Sequence, residues 1–170
     1  MASSVRRSAA YIGLWVLAAL VLTGCSAGYN IHVATDSGLR KEGAAVEVHL
    51  IAPNEAEYAA LANKSMTAYW EPRDPDRAAL VNAGMVKVFR FDAKSPQEQT
   101  LGKDDPIWKT WGNSKRLLVL SSLPRNAPDL PEGQDPRRRT LPLEADRWEG
   151  RDIKVEVHLG GLRVVTSQRH

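Results

Sequence analysis

A single cysteine, Cys25, serves all 170 residues, which excludes an internal disulfide and leaves that thiol to be explained. Charge of one sign is scarce as well: 23 Lys and Arg stand against 20 Asp and Glu, and Arg6 and Arg7 both precede Cys25. From Cys25 onward the balance is therefore 21 to 20, or +1, far from the dense basic face that nucleic acid demands. It offers equally little to an anionic lipid surface. Also missing are a G-x-S-x-G elbow, H-E-x-x-H, S-x-x-K and a P-loop. His32, His49, His158 and His170 stand beside no nucleophile in sequence, so the chain reads as a non-enzyme, with an active site assembled from distant residues ranked third among its readings.

Long apolar runs are missing too. The run Ala9 to Leu22 spans 14 residues, short of the roughly 18 to 20 that cross a bilayer as a helix. Positive charge at Arg6 and Arg7, this apolar segment and the small residues Thr23 and Gly24 make up an export signal over residues 1–24, cleaved on maturation. Leu22-Thr23-Gly24-Cys25 resembles the lipobox of bacterial lipoprotein precursors, in which a large aliphatic and two small residues precede the modified cysteine. The resemblance implies that Leu22, Thr23 and Gly24 are recognised by the signal peptidase and that Cys25 carries a diacylglyceryl group, often with a further acyl chain on the freed amine. No other cofactor is expected. Each buried methylene contributes about 0.8 kcal/mol, so one acyl chain anchors marginally while two or three hold permanently. The mature protein is expected in the cell envelope, membrane-anchored on the exported side. Ser26 stands where some lipoproteins carry the aspartate that retains them at the inner membrane, which favours the outer membrane where the cell has one.

Residues 25–43, with Ser26, Gly28, Ser37 and Gly43, read as lipidated cysteine and tether; Ile31 to Thr35 has strand character, and a loose and a docked tether both remain open. Residues 44–170 are enough for one β-rich globular domain. It opens on "VEVHL", Val46 to Leu50, whose alternation places Val46, Val48 and Leu50 on one face and Glu47 and His49 on the other. The same five letters recur at 155–159 with unrelated flanks, a convergence on strand chemistry and not a duplication. Met85 to Phe91, Arg116 to Leu123, Arg139 to Leu143 and Leu162 to Thr166 are further strands, with Leu117 to Leu120 covered on both faces and Gly160-Gly161 a tight hairpin or bulge. Asn54 and Glu57 form a capping box for a helix that Pro72 ends, and a short helix carries Ile107, Trp108 and Trp111 after a cap at Asp104 or Asp105. The fold class is α+β, mostly β: a two-layer β-sandwich-like domain with short helical insertions, preceded by a signal peptide.

Several residues invite a sharper reading. If the two VEVHL strands are neighbours, Glu47, His49, Glu156 and His158 share a polar face and could hold zinc or copper; otherwise they are solvated charge pairs, and no metal is expected. Trp108 and Trp111, three apart, could stack on a sugar ring, although such pairs more often serve the core. Pro124 to Pro136 reads as an exposed loop, and Arg137, Arg138 and Arg139 after Asp129, Glu132 and Asp135 read as solvated ion pairs. "DPDR", Asp74 to Arg77, reads as a proline turn.

A lipobox followed by a small β-sandwich with helical insertions is similar in layout to the outer-membrane lipoprotein of type VI secretion systems, a non-catalytic assembly component. The similarity is of layout only, with no residue motif after Cys25. The expected function is a lipid-anchored envelope protein of binding or assembly type, with membrane lipid and an envelope protein as partners and no nucleic acid. The alternative is an envelope ligand-binding protein for glycan or metal.

Overall fold

The computed structural model describes residues 28–43, 45–123, 129–131, 133–144 and 146–169. Among them the elements run β1 (Asn30–Thr35), α1 (Ser37–Lys41), β2 (Val46–Ile51), α2 (Glu55–Asn63), α3 (Met66–Tyr69), α4 (Pro75–Asn82), β3 (Lys87–Phe91), β4 (Glu98–Leu101), α5 (Ile107–Trp111), β5 (Arg116–Ser121), β6 (Arg138–Pro142), β7 (Asp152–His158) and β8 (Gly161–Val164). They build two four-stranded sheets, ordered β4-β1-β7-β8 and β3-β2-β5-β6. The protein is thus a mostly β sandwich with short helices, as its strand pattern predicts.

Alternation explains the interior. Val46, Val48 and Leu50 of β2 meet Ile153, Val155 and Val157 of β7 in one core shared by both sheets. The reverse face of the second sheet is apolar as well: Ile51, Leu118 and Leu120 pack under Leu61 of α2 and Met66 and Tyr69 of α3. Leu117 to Leu120 is a continuous apolar run because its residues alternate between these two cores. Fully burying such a side chain stabilises by about 1.5–3 kcal/mol, so the second cluster suffices to hold short helices of weak intrinsic stability on the sheet.

Local chemistry sets the helix ends. Asn54 and Glu57 make the expected capping box for α2. The helix does not run on to Pro72: Lys64 is extended, and the Ser65 hydroxyl accepts from the Ala68 amide to start α3. Asp74 to Arg77 is no mere turn, for Asp74 caps α4 at the Arg77 amide (2.7 Å) and Pro75 fills its first turn, where a missing N–H costs nothing. Lys64 ties the α2 end to this cap through Asp74 (2.5 Å) and Asp76 (2.6 Å). Gly160-Gly161 serves as a hairpin: Leu159 and Gly160 turn the chain, and Gly161 opens β8.

The tether expected over 25–43 is largely part of the fold. β1 lies between β4 and β7, antiparallel to the first and parallel to the second, with Ile31 and Val33 fully buried. The folded body therefore includes Gly28 to Thr35, well before residue 44. Gly28 is wedged so tightly that a Cβ there would fall 2.2 Å from the Lys103 carbonyl oxygen and 2.8 Å from Trp108 Cδ1. Backbone cannot yield as a flexible side chain can. Gly28→Ala is expected to cost about 1–3 kcal/mol in urea unfolding, the usual range for overpacking; an unchanged midpoint would show that β1 is not held at this point.

Candidate functional site

Leu22, Thr23, Gly24 and Cys25 lie outside the described residues. What the structure shows is how the chain that follows them is held. Asn30 N–H donates to the Arg151 carbonyl at 2.8 Å, and Asn30 Oδ1 accepts from the Lys103 amide at 2.9 Å. Tyr29, 4% exposed, donates from its hydroxyl to the Glu144 carbonyl at 3.0 Å. Tyr29 and Asn30 are thus clamped by three separate segments.

The polar group nearest to active-site chemistry sits on β2. His49 does not face solvent as the alternation of β2 suggests: it is 1% exposed beneath α3 and α4. Its Nε2 lies 2.6 Å from Glu47 Oε1 and its Nδ1 lies 2.7 Å from Tyr69 Oη. Glu47 also accepts from Arg90 Nε at 2.8 Å. Burial disfavours ionisation of Glu47, but the bonds from Arg90 and His49 outweigh it and hold the carboxyl below its ordinary range. An ionised Glu47 only accepts, so Nε2 carries the imidazole proton, Nδ1 accepts, and the Tyr69 hydroxyl donates.

This chain of three resembles a base set against a phenol, yet it carries no accessible nucleophile. Tyr69 is fully buried, and burial pushes its phenol up from its ordinary value. The indole of Trp70 packs on the His49 ring at 4.7 Å, and Arg77 lies 5.6 Å over that indole. A cavity of about 450 Å³ opens beside the network, lined in part by Glu47, His49, Asp74, Arg77 and Arg90. Its two guanidiniums face two carboxylates, so it selects for no ligand charge.

Burial, opposed in part by Glu47, lowers the pKa of His49. The imidazole is therefore neutral when folded and gains a proton more readily when unfolded. Stability is full above the unfolded value of about 6.5 and declines as pH falls from there toward the folded value. Thermal melts from pH 7.5 to 5 are expected to show a falling midpoint in the wild type and a flatter profile in His49→Gln. Parallel slopes would locate that pH dependence elsewhere.

The four metal candidates do not converge. Glu47 and His49 are on β2 in one sheet, and Glu156 and His158 are on β7 in the other. Each histidine instead pairs within its own strand, His158 Nε2 standing 3.1 Å from Glu156 Oε2 while its Nδ1 meets Asp36 at 2.9 Å. Among the described residues no group of three or more His, Cys, Asp or Glu is placed to hold a metal ion. Trp108 and Trp111 form no stacking platform either. Their rings meet edge to face at 5.0 Å, both are buried, and their indole N–H groups donate to the carbonyls of Gly102 and Met85.

The basic cluster is the largest departure from expectation. Arg137 and Arg138 are 7% and 2% exposed, not solvated. The guanidinium of Arg137 bonds Asp135 through Nε (3.0 Å) and NH2 (2.8 Å), and also reaches Asp129. Asp129 in turn accepts from the Thr67 amide and hydroxyl at 3.1 and 2.9 Å. Arg138 donates to the carbonyls of Leu61 (3.1 Å), Ala62 (2.6 Å) and Lys64 (2.5 Å), closing the C-terminus of α2. The described part of the 124–136 segment is thereby pinned to the helical layer. The acids facing arginines were visible in sequence; the docking of Arg138 on a helix more than 70 residues away was not.

The fold and these networks define a two-sheet β-sandwich whose buried polar groups are structural and whose first described strand starts at Asn30, five positions after Cys25. No family model and no curated protein matches the chain. Solved structures similar to it include the following two. One is Serratia marcescens Lip, a membrane-bound component of the type VI secretion system, at 13% identity over 81% of this chain and 94% of that one, with a TM-score of 0.44. The other is the type VI secretion lipoprotein TssJ1 from Pseudomonas aeruginosa, at 10% identity over 83% and 96%, with a TM-score of 0.43.

Proposed function

We propose that the chain is a lipid-anchored cell-envelope protein, held through Cys25, that works by binding or assembly and not by catalysis. The observation that carries this reading is the position of the only cysteine: it ends a lipobox-like sequence and stands three residues before Gly28, which is already packed into the folded body. The polar networks of the body support the non-catalytic part. Tyr69 is buried, both ring nitrogens of His49 are taken by Tyr69 and Glu47, Arg137 and Arg138 hold loop and helix ends, and Trp108 and Trp111 are in the core. On this reading its partner is a protein on the exported side of the membrane.

The test is expression of the tagged full chain in a bacterium, in-cell crosslinking, detergent extraction and mass spectrometry of captured proteins and of the tryptic peptide Cys25 to Arg40. An acylated peptide together with one recurrent partner is the expected result. In Cys25→Ser the acylation of that peptide is expected to be lost. An unmodified Cys25 in the wild type would overturn the reading.

A further inference from the structure

Gly28 and Tyr29 are held firmly in the body, and that bears on what touches the membrane. Cys25 and Gly28 are separated only by Ser26 and Ala27. Consecutive Cα atoms are about 3.8 Å apart, so three steps span about 11 Å at most, whatever their conformation. Gly28 cannot slide to lengthen this span: it is wedged under the Lys103 carbonyl and Trp108, and the next residue, Tyr29, is bonded to the carbonyl of Glu144.

We infer that the end of the sandwich bearing Gly28 lies against the lipid surface, so that the opposite end is presented to solution. The inference rests on the proposed lipidation of Cys25. The strand registers say which residues belong to each end. Asn30 pairs with Asp152 and Ile31 with Leu101, so the lipid-facing end holds the turn with Lys103 that follows β4 and the segment of Arg147 and Arg151 that precedes β7. Val155 pairs with Val164, which brings the stretch after β8 to the same end, including the exposed Val165. β1 runs about 20 Å away from this end at 3.3 Å per residue. At its far end lie α1 and the turn around Lys94, joined by a bond from Arg40 to the Ser95 carbonyl.

Electrostatics does not set this orientation. Lys103, Arg147 and Arg151 each adjoin an aspartate in sequence, Asp104, Asp146 and Asp152, so these residues present no excess of positive charge to anionic lipid. The short, clamped connection sets it, and the orientation is therefore independent of lipid charge.

Because the acyl group occupies the only native thiol, an introduced cysteine can be labelled alone. Lipidated full-length Lys103→Cys, Arg147→Cys, Lys41→Cys and Lys94→Cys are labelled with a fluorophore and reconstituted into phosphatidylcholine vesicles containing shallow nitroxide-labelled lipid. All four side chains are exposed, so labelling leaves the core intact. Labels at 103 and 147 are expected to lose most of their emission, and those at 41 and 94 to keep it, equally with and without phosphatidylglycerol. Inserting about twenty Gly and Ser residues after Ala27, a coil of roughly 25 Å, is expected to restore emission at 103 and 147 while the protein still floats with the vesicles. Acylated protein that floats but is quenched alike at all four sites, or more at 41 and 94, overturns the orientation and leaves the anchor standing. Protein that is unacylated and does not float overturns the anchor, and the orientation with it.

Discussion

Arg138→Ala is expected to lower stability by about 3–5 kcal/mol, and to release α2 from the sheet before the sandwich itself unfolds. The last carbonyls of any helix have no partner within it. In α2 those of Leu61 and Ala62, with that of the cap Lys64, accept from one guanidinium at 2.5–3.1 Å. With Arg138 2% exposed, its removal leaves buried acceptors unpaired and a void beside Leu61, each costing on the order of 1–3 kcal/mol. A positive charge at a helix C-terminus also complements the helix dipole. Arg138→Lys is expected to recover only part of the loss, because a single ammonium lacks the planar fork that spans three carbonyls. Amide hydrogen exchange reads the effect: amides of 55–70 should lose protection ahead of those of β2 and β5. Uniform loss of protection would show that the helices and the sheet unfold as one unit.

Asp135→Ala is the second large effect, expected at about 3–5 kcal/mol, the usual cost of removing one partner from a buried ion pair. Asp135, 1% exposed, accepts from the Arg137 amide at 2.9 Å as well as from its guanidinium. Without it, Arg137 keeps a single carboxylate, Asp129. Pairing Asp135→Ala with Arg137→Met is expected to recover part of the loss, since a buried charge is then no longer stranded; a strictly additive double mutant would deny the coupling.

The same cluster sets a second acid limit. Burial disfavours ionisation of both carboxylates, but for Asp129 the bonds from Arg137 and Thr67 prevail and hold it down to about 2. Asp135 is lowered as well, because its bonds from Arg137 outweigh its burial. A carboxylate depressed by folding stabilises above its unfolded value and loses that contribution as pH falls through its folded one. The wild type is therefore expected to lose stability below about pH 4, separately from the His49 contribution, whose loss sets in as pH falls below about 6.5, and Asp135→Ala to lose less in the lower window.

What the sequence by itself determined is what short-range chemistry dictates. The inward rows of β2 and β7, the two-faced burial of Leu117 to Leu120, the Asn54 and Glu57 capping box and the Gly160-Gly161 hairpin all follow from side-chain period, capping and turn residues within a few positions. The lipobox-like ending at Cys25 is local in the same sense. Partners far apart in sequence were decided only by the tertiary structure. β1 pairs in parallel with β7, more than 100 residues away, which turns an apparent tether into a central strand. Glu47 and His49 alternate as a solvated face should, and nothing near them in the chain announces that α3 and α4 fold back over that face. Arg138 is read in sequence against its neighbouring acids, while its partners are the carbonyls of α2. Pattern reports which face of an element is polar; whether water or another element covers that face depends on closing loops of tens of residues, and that is paid for by the whole core at once.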